Sequence, residues 1–308
     1  MMNIATLTMN PTIDVAYEVE TLRHTHKMRC DTERADPGGG GINVARVFVR
    51  LGGNATCYYL SGGATGAALD GLLDLHLLVR RPVRIEGHTR VATNVFETSS
   101  GKEYRFVPEG PRVGEGEWQA CLDMVAQAQC DYLVASGSLP PGVPDDFYAR
   151  LVPIAQSRGI RLVLDTSGPA MAAGLAAGGV HLVKPSAGEL RQLAGRELAG
   201  PDEVGAAALE LVDQGRAELV AVTMGHEGGI LASAAGAQFV PALPVEAKSA
   251  VGAGDSFLAG MVWALARGWE AFDAFRFGMA AGSAAVLTPG TDLCRPADVE
   301  RLYRDMPR

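Results

Sequence analysis

The chain has 308 residues, of which 47% are hydrophobic, and this is enough to build the core of one large α/β domain. Its formal net charge of −8 argues against general binding to nucleic acid or to an anionic membrane, so any phosphate site must be local. The five cysteines contain no Cys-x-x-Cys pair, so we expect reduced thiols. No apolar run could span a bilayer and no signal peptide is recognisable, so we expect a cytoplasmic protein.

Short, half-exposed strands are predicted in the first third of the chain, after one buried strand at Asn3 to Thr8. Ile13 to Val19 alternates between apolar and polar residues. Thr89 to Glu97 and Lys102 to Val107 flank Ser99-Ser100-Gly101, a pattern typical of a hairpin. We therefore expect these segments to form a small sheet apart from the central one.

A run of four glycines, Gly38 to Gly41, stands before an apolar pattern with helical spacing. Glycine has no side chain, so a ligand can approach the backbone there closely. Asn43 follows the run, and its amide can donate and accept hydrogen bonds to sugar hydroxyls. The helical pattern ends at Gly52-Gly53.

Strands and helices alternate through the rest of the chain, which predicts a mainly parallel central sheet flanked by helices. The predicted strands are Asp131–Ala135, Ile160–Leu164, Val180–Val183 and Leu219–Thr223, and the predicted helices are Pro144–Ser157, 188–194 and Asp202–Gln214. Ligands of such sheets bind at the carboxyl ends of the strands. The groups that we expect at this edge are Asp14, Ser138, Asp165, Lys184 and the loop 225–228.

The segment Val251 to Phe257 is the strongest candidate for chemistry. Its glycines let successive N–H groups point into one small space, and a helix is predicted from Phe257 to Ala266, so the segment should attract phosphate. Asp255 is its one carboxylate, suited to take a proton from an attacking hydroxyl, and an ordinary carboxylate pKa would suffice. Considered alone, the segment is better explained by Asp255 capping the helix, and the glycine-rich run at Gly38 to Gly41 shifts the balance towards phosphoryl transfer.

Four basic residues lie in or near the predicted small sheet of this acidic chain: Lys27, Arg29, Arg90 and Arg105. As a set they indicate a local phosphate site. A ligand without a phosphate would leave an arginine unpaired, and this would weaken the binding of that ligand. Neither a Walker A sequence nor a complete G-x-G-x-x-G fingerprint is present, so a P-loop kinase and a Rossmann dehydrogenase lose support.

Gly38 to Ala45 and Val251 to Phe257 resemble the sugar-binding and catalytic signatures of the PfkB, or ribokinase-like, carbohydrate kinase family. The resemblance covers essentially the whole chain, with further matching segments at Thr6–Asp14, Ser136–Gly142, Lys184–Pro185 with Glu189, and Ala280–Ala285. It implies an α/β, ribokinase-like kinase domain over 1–308, with lid segments at about 12–36 and 88–108 and a homodimer formed through the lid.

The resemblance also implies a role for each matching residue. The acceptor site would contain Asp14, Gly38, Gly39, Asn43, Arg90, Arg105 and Ser138, with Lys27 and Arg29 reaching it from a partner subunit. The catalytic residues would be Gly252, Ala253, Gly254 and Asp255. ATP would contact Lys184, Ser186, Thr223, Gly225, Gly228, Val251, Met279 and Ser283, with Val251 and Met279 flanking the adenine.

Two cations are implied in the same way. Glu189 would hold Mg²⁺ through water, but Ser186 stands where the family has asparagine, which puts this site in doubt. A K⁺ site would use the carbonyls of Ser249, Val251, Ala285, Thr288 and Gly290. Ala250, beside this site, departs from the family pattern. The departure does not exclude K⁺, because backbone carbonyls can bind the ion without that side chain.

The function implied is ATP-dependent phosphorylation of the 1-hydroxyl of fructose 6-phosphate. The segments Lys27–Cys30, Glu103–Phe106 and Arg276–Gly278 are similar to bacterial 6-phosphofructokinases of the family. A 1-phosphofructokinase and a tagatose-6-phosphate kinase are the alternatives within the same chemistry. A catalytically silent protein that binds sugar phosphates is the alternative outside it, and the intact Gly252 to Asp255 segment argues against it.

Overall fold

The computed structural model describes residues 3–30, 32–288 and 292–306, which form a large sheet and a small sheet with helices packed on the large one. The strands of the large sheet are β1 (Asn3–Thr8), β4 (Asn54–Gly62), β5 (Val79–Ile85), β8 (Tyr132–Ser136), β9 (Arg161–Asp165), β10 (Val180–Val183), β11 (Ala217–Thr223), β12 (Gly228–Ser233) and β13 (Gly236–Pro241). Those of the small sheet are β2 (Thr12–Val19), β3 (Thr32–Gly38), β6 (Arg90–Glu97) and β7 (Lys102–Phe106). The two sheets confirm the predicted α/β class with a small sheet apart from the central one.

The large sheet has the order β13-β12-β11-β10-β9-β8-β1-β4-β5. Strands from β5 to β11 pair in parallel, whereas β12 and β13 are added antiparallel at one edge. Central strands such as β8 are buried along their whole length, as expected for a parallel sheet that is covered on both faces. All the parallel strands therefore direct their carboxyl ends to the same edge.

Ten α-helices are found in the described residues. They are α1 (Gly40–Arg50), α2 (Gly63–Leu75), α3 (Glu115–Val125), α4 (Leu151–Ser157), α5 (Gly168–Ala176), α6 (Ala187–Ala194), α7 (Gly200–Asp213), α8 (Ala253–Leu265), α9 (Ala271–Ala285) and α10 (Pro296–Asp305). Helices α1, α2, α8, α9 and α10 contribute to one apolar core, and α3 to α7 contribute to the other. Each fully buried large apolar side chain stabilises these layers by about 1.5–3 kcal/mol. No described helix is both long and apolar enough to cross a membrane.

The small sheet has the order β3-β2-β6-β7 and lies outside the central sheet, as the alternating segments predicted. Strand β2 pairs antiparallel with β3 and parallel with β6. The edge strand β7 is mostly exposed, and the side chain of Phe106 is 60% exposed. Asp14 lies in β2 and faces the site from the small sheet, so its expected place at the carboxyl ends of the central strands was wrong.

The structure differs from the predicted elements at one helix and at one strand. The helix expected over Pro144–Ser157 is regular only at Leu151–Ser157, because Pro153 has no N–H to donate to the carbonyl of Ala149 and fits the first turn of a helix. Turns with i to i−3 hydrogen bonds, such as Phe147 N–H to Pro144 O at 2.9 Å, precede it. Strand β3 was not predicted, because the run of four glycines that begins at its last residue, Gly38, dominates the pattern.

Candidate active site

A cavity of about 390 Å³ lies between the small sheet and the carboxyl ends of the large sheet. Its predicted lining residues are Asp14, Gly39, Asn43, Arg90, Arg105, Ser138, Asp165, Glu189, Val251, Gly252 and Asp255. Lining residues that the sequence did not single out for the site are Thr12, Gly40, Ala92, Val107, Ser136, Gly137, Thr166, Ser167 and Ala250. The structure thus brings together the glycine-rich run, the arginines of the small sheet and the segment around Asp255. Lys27 and Arg29 are exposed and do not line the cavity within this chain.

The glycine-rich run packs against the protein itself as well as facing the cavity. A Cβ atom on Gly38 would lie 2.0 Å from Oδ2 of Asp14, and one on Gly40 would lie 2.1 Å from the hydroxyl oxygen of Ser136. These two glycines are therefore required by close contacts between β2, β3, α1 and the end of β8. Access for a ligand can explain only Gly39 and Gly40, the two glycines of the run that line the cavity.

Asp255 lies in the first turn of α8, which begins four residues before the predicted Phe257. Gly252, with φ of 72°, occupies the N-cap position, and no side chain caps this helix. The explanation of Asp255 as an N-cap is therefore wrong. The amides of Gly254 and Asp255 have no hydrogen-bond partner among the described residues, and that of Ala253 makes only a long bond of 3.4 Å to the Ala250 carbonyl. A carboxylate thus stands beside two free N–H groups at a helix N-terminus, where an anion is stabilised.

Burial, together with the nearby carboxylate of Asp165, raises the pKa of Asp255 from 3.8 to about 6. Asn43 opposes this increase because its Nδ2 donates to Oδ2 of Asp255 at 2.9 Å, and the ammonium of Lys184 opposes it too. An ordinary carboxylate pKa would suffice for this role, and the site gives Asp255 a higher one. A carboxyl group with this pKa is a stronger base than a surface aspartate and still ionises at neutral pH.

The orientation of Asn43 is determined by Arg46, one helical turn further along α1. Nη1 of Arg46 donates to Oδ1 of Asn43 at 3.1 Å and to the carbonyl of Pro37 at 3.0 Å. Arg46 is 2% exposed, and burial lowers its pKa to about 10, so it stays charged and forms an ion pair with Asp36 at 3.0 Å. The amide of Asn43 must therefore present its nitrogen to Asp255. Sequence reasoning missed Arg46, although a charged residue within an apolar helical pattern is a signal.

Lys184 connects the strand ends to the turn that carries Asp255. Its Nζ lies 3.0 Å from Oδ1 of Asp165, whose Oδ2 accepts a hydrogen bond from the Ser136 hydroxyl at 3.1 Å. Burial favours the neutral amine, but the carboxylates of Asp165, Asp255 and Glu189 together outweigh it and raise the pKa of Lys184. A Cβ on Gly254 would lie 3.4 Å from Nζ, so a positive charge is maintained directly beside the free N–H groups.

The end of the cavity that the small sheet forms carries two arginines, Arg90 and Arg105. Arg90 donates from Nη1 to the carbonyl of Pro108 at 2.9 Å and from Nη2 to that of Asn10 at 2.8 Å. Arg105 is exposed at the cavity wall. Burial raises the pKa of Asp14, with Arg105 as the first opposing charge. This end of the cavity is therefore cationic and suits an anionic group.

A second cavity, of about 460 Å³, lies on the other side of the turn that carries Asp255. It contains Thr223, Gly225, Gly228, Met279 and Ser283 as predicted, and also the apolar residues Leu243, Pro244, Val245 and Phe257. Val251, which was expected beside Met279, lies on the first cavity, because the chain reverses at Gly252. Ala250 lines both cavities, and Ala253 and Gly254 face the second one while Asp255 faces the first.

Ser186 and Glu189 form a capping box at the start of α6. Glu189 Oε2 accepts from the amide and the hydroxyl of Ser186 at 2.7 and 2.8 Å, and the Glu189 amide donates to Ser186 Oγ at 3.2 Å. No group of three or more acidic, histidine or cysteine side chains among the described residues could hold a metal directly. Glu189 lines the first cavity together with Asp165 and Asp255, an arrangement that fits a metal held through water and phosphate oxygens.

The segments with the candidate K⁺ ligands are adjacent in the structure. The amides of Lys248 and Ser249 donate to the carbonyl of Val286, at 2.7 and 3.4 Å. The carbonyl of Ala285 accepts from the amide and the hydroxyl of Thr288, at 3.0 and 2.7 Å. Gly290 lies outside the described residues.

The chain is similar to known proteins over nearly its whole length. The family profile described as pfkB family carbohydrate kinase matches residues 7–298. The "ATP-dependent 6-phosphofructokinase isozyme 2" of Mycobacterium tuberculosis H37Rv is 44% identical over 97% of this chain and 88% of its own length. The protein of the same name from Escherichia coli K12 is 40% identical over the full length of both chains. A 1-phosphofructokinase of Rhodobacter capsulatus is 31% identical over 98% of this chain and 96% of its own.

Solved structures are similar over the same extent. The crystal structure of Escherichia coli phosphofructokinase-2 in complex with fructose-6-phosphate has a TM-score of 0.93 and 39% identity, and it covers 100% of both chains. That of the same protein in complex with potassium has a TM-score of 0.94 and 41% identity, and it covers 99% of both chains.

Proposed function

Since the chain belongs to the pfkB family of carbohydrate kinases, we propose that it transfers the γ-phosphoryl group of ATP to the 1-hydroxyl of fructose 6-phosphate. One observation carries this proposal: Asp255, with its raised pKa, stands in the turn between a cavity with two arginines at one end and a second, largely apolar cavity. A phosphorylated acceptor fits the first cavity and a nucleotide fits the second. The names and complexes of the similar proteins support this choice of acceptor and donor.

In the first cavity the sugar hydroxyls would bind to Asp14 and Asn43, above the backbone of Gly38 and Gly39. The acceptor phosphate would bind to Arg90, Arg105 and Ser138 at the cationic end. This places the hydroxyl at the other end of the sugar near Asp255. Lys27 and Arg29, which are exposed in one chain, would reach the phosphate from a second copy.

In the transfer step, the acceptor oxygen forms a bond to the γ-phosphorus as the bond to the bridging oxygen of ADP breaks. Asp255 takes the hydroxyl proton, and Asn43 fixes the carboxylate by donating to Oδ2. The N–H groups of Gly254 and Asp255, with those of Gly252 and Ala253 beside them, would stabilise the migrating phosphoryl group, and Lys184 adds positive charge. A Mg²⁺ ion bound with ATP supplies further charge neutralisation, and Glu189 would hold it through water.

A panel of acceptors tests the proposal. Purified protein with MgATP is given fructose 6-phosphate, fructose 1-phosphate, tagatose 6-phosphate, fructose and adenosine, and ADP formation is measured. We expect the highest kcat/KM with fructose 6-phosphate and a 1,6-bisphosphate product by phosphorus NMR. A higher kcat/KM with fructose 1-phosphate would favour a 1-phosphofructokinase, and no ADP with any acceptor would favour a silent binding protein.

The activity should depend on the ionisation of Asp255. Because the base must be deprotonated in the free enzyme, kcat/KM for the acceptor should fall about tenfold per pH unit below the pKa of about 6. Asp165→Asn removes the nearest negative charge, so this acidic limb should move to lower pH. The measurement is kcat/KM between pH 5 and 8 for both proteins. A limb that does not move in Asp165→Asn would mean that another group controls it.

The Ser186→Asn variant tests the handling of Mg²⁺. Asparagine is also a good N-cap, so α6 should stay intact while the longer amide orients water around Glu189. We expect the requirement for free Mg²⁺ to stay the same or to fall by up to about 10-fold. The rate is measured against free Mg²⁺ at fixed MgATP, with Ser186→Ala, which loses the cap, as the comparison. A markedly higher requirement in Ser186→Asn would show that the site depends on serine.

The protein should form a dimer through the small sheet. The edge strand β7 and the exposed side chains of Phe96 and Phe106, 40% and 60% exposed, offer an unpaired edge with apolar groups. Light scattering at assay concentration should give twice the chain mass, and Phe106→Asp should give a monomer with lower activity. Phe239→Asp, on strand β13 of the other sheet and 44% exposed in the wild type, is the matched control. A fully active wild-type monomer would exclude roles for Lys27 and Arg29 of a partner.

A further inference from the structure

Asn10 occupies the connection between β1 and β2, where the chain passes from the large sheet to the small one. It is 3% exposed, and it does not line the cavity. Its Nδ2 donates to the carbonyl of Glu109 at 2.8 Å and to the hydroxyl of Ser138 at 3.3 Å. One buried amide therefore contacts the segment after β7 and the segment after β8.

Asn10 also helps to hold Arg90. The carbonyl of Asn10 accepts from Nη2 of Arg90 at 2.8 Å, and the carbonyl of Pro108 accepts from Nη1 at 2.9 Å. Pro108 precedes Glu109, which the amide of Asn10 binds. A guanidinium has five N–H groups. The two carbonyls use one on Nη1 and one on Nη2, and Nε is buried, so the second N–H of each terminal nitrogen remains for an anion.

The hydroxyl of Ser138 is oriented by the same amide. A serine hydroxyl has one hydrogen to donate, and because its oxygen accepts from Asn10, that hydrogen is free to donate into the cavity. Gly110 makes this arrangement possible. It has φ of 110°, and a Cβ atom there would lie 2.4 Å from Oδ1 of Asn10, so a side chain would displace the amide.

We propose that Asn10 is a positioning residue that sets Ser138 and Arg90 for the phosphate of the acceptor, and thereby makes the cavity selective for phosphorylated sugars. Asn10 does not touch the substrate in this scheme. The inference rests on the proposed function, because it deepens the account of the same acceptor site.

The test compares Asn10→Ala, Ser138→Ala and the double variant, using fructose 6-phosphate and MgATP. Loss of an oriented hydrogen bond should raise the KM for fructose 6-phosphate in Asn10→Ala by about 10-fold, with kcat and the KM for MgATP changed less than about twofold. Because Asn10 acts through Ser138, the double variant should lose less than the product of the single losses. Asn54→Ala, at the opposite end of the large sheet, is the matched control.

Gly110→Ala provides a second approach if Asn10→Ala is poorly folded, since Gly110 does not line the cavity and its new side chain would displace the Asn10 amide. It should give the same selective rise in the KM for fructose 6-phosphate. Equal rises in both KM values, or independent effects of Asn10→Ala and Ser138→Ala, would overturn the inference. If the wild type does not use fructose 6-phosphate, the proposed function fails, and the same comparison with the best phosphorylated acceptor of the panel decides on Asn10.

Discussion

The Asp255→Asn variant is expected to lose about 10²–10⁴-fold in kcat, the usual effect of removing a general base. The amide has the same shape as the carboxyl group, so it can accept from Asn43 as Asp255 does at 2.9 Å. Binding of fructose 6-phosphate and of MgATP should therefore change little. Steady-state kinetics and calorimetric binding measure the two effects separately, with Asp213→Asn on the exposed end of α7 as the control. A kcat close to that of the wild type would exclude Asp255 as the base.

The same variant should be more stable than the wild type at neutral pH. Because the folded protein raises the pKa of Asp255 from 3.8 to about 6, the folded state binds this proton more tightly than the unfolded state. The ionised carboxylate therefore lowers stability above pH 6, and this penalty disappears as the pH falls towards 4. Asp255→Asn should gain on the order of 1–3 kcal/mol at pH 7.5. Urea unfolding at pH 7.5 and pH 4.5 should give a gain that is larger at the higher pH. A gain that does not depend on pH would mean that ionisation of Asp255 does not lower the free energy of unfolding.

The Arg90→Ala variant is expected to raise the KM for fructose 6-phosphate by about 10–150-fold, because a hydrogen bond to a charged group contributes about 1.5–3 kcal/mol. The KM for MgATP should change much less, because Arg90 lines the first cavity and not the second. Arg90→Lys should lie in between, since an ammonium keeps the charge but cannot bind two carbonyls and a phosphate with one rigid fork.

Arg304→Ala, an exposed arginine on α10, is the matched control for the loss of one positive charge. Equal rises in the two KM values would indicate that Arg90 serves the structure only, through its bonds to Asn10 and Pro108. Thermal unfolding of Arg90→Ala separates this outcome from a general loss of folding.

The fold class and the sequence segments of the site were predictable because their signals are local. Alternation of short apolar strands with helical patterns predicts a parallel sheet, and strand β10 (Val180–Val183) has the predicted bounds. The glycine-rich run and the segment around Asp255 are recognisable from their residue order alone. These signals identify the pieces of the site, but not the contacts between them.

The contacts between those pieces depend on residues distant in the chain. The pKa of Asp255 depends on burial, on Asp165 and on Lys184, which only the packing of β9, β10 and α8 brings together. Gly38 is required by the carboxylate of Asp14 on the paired strand, a contact that depends on strand register. Sequence periodicity cannot encode such contacts.

The sequence by itself therefore determined the α/β class, the family resemblance and the identity of the candidate base, since each rests on residues that are neighbours in the chain. Only the tertiary structure decided that Val251 faces the first cavity, that Arg46 orients Asn43 and that Asn10 holds the segments carrying Arg90 and Ser138. The reason is physical. Burial, the distances between charged groups and hydrogen-bond geometry are determined only when separate segments pack, and they set the pKa of a base and the orientation of an amide.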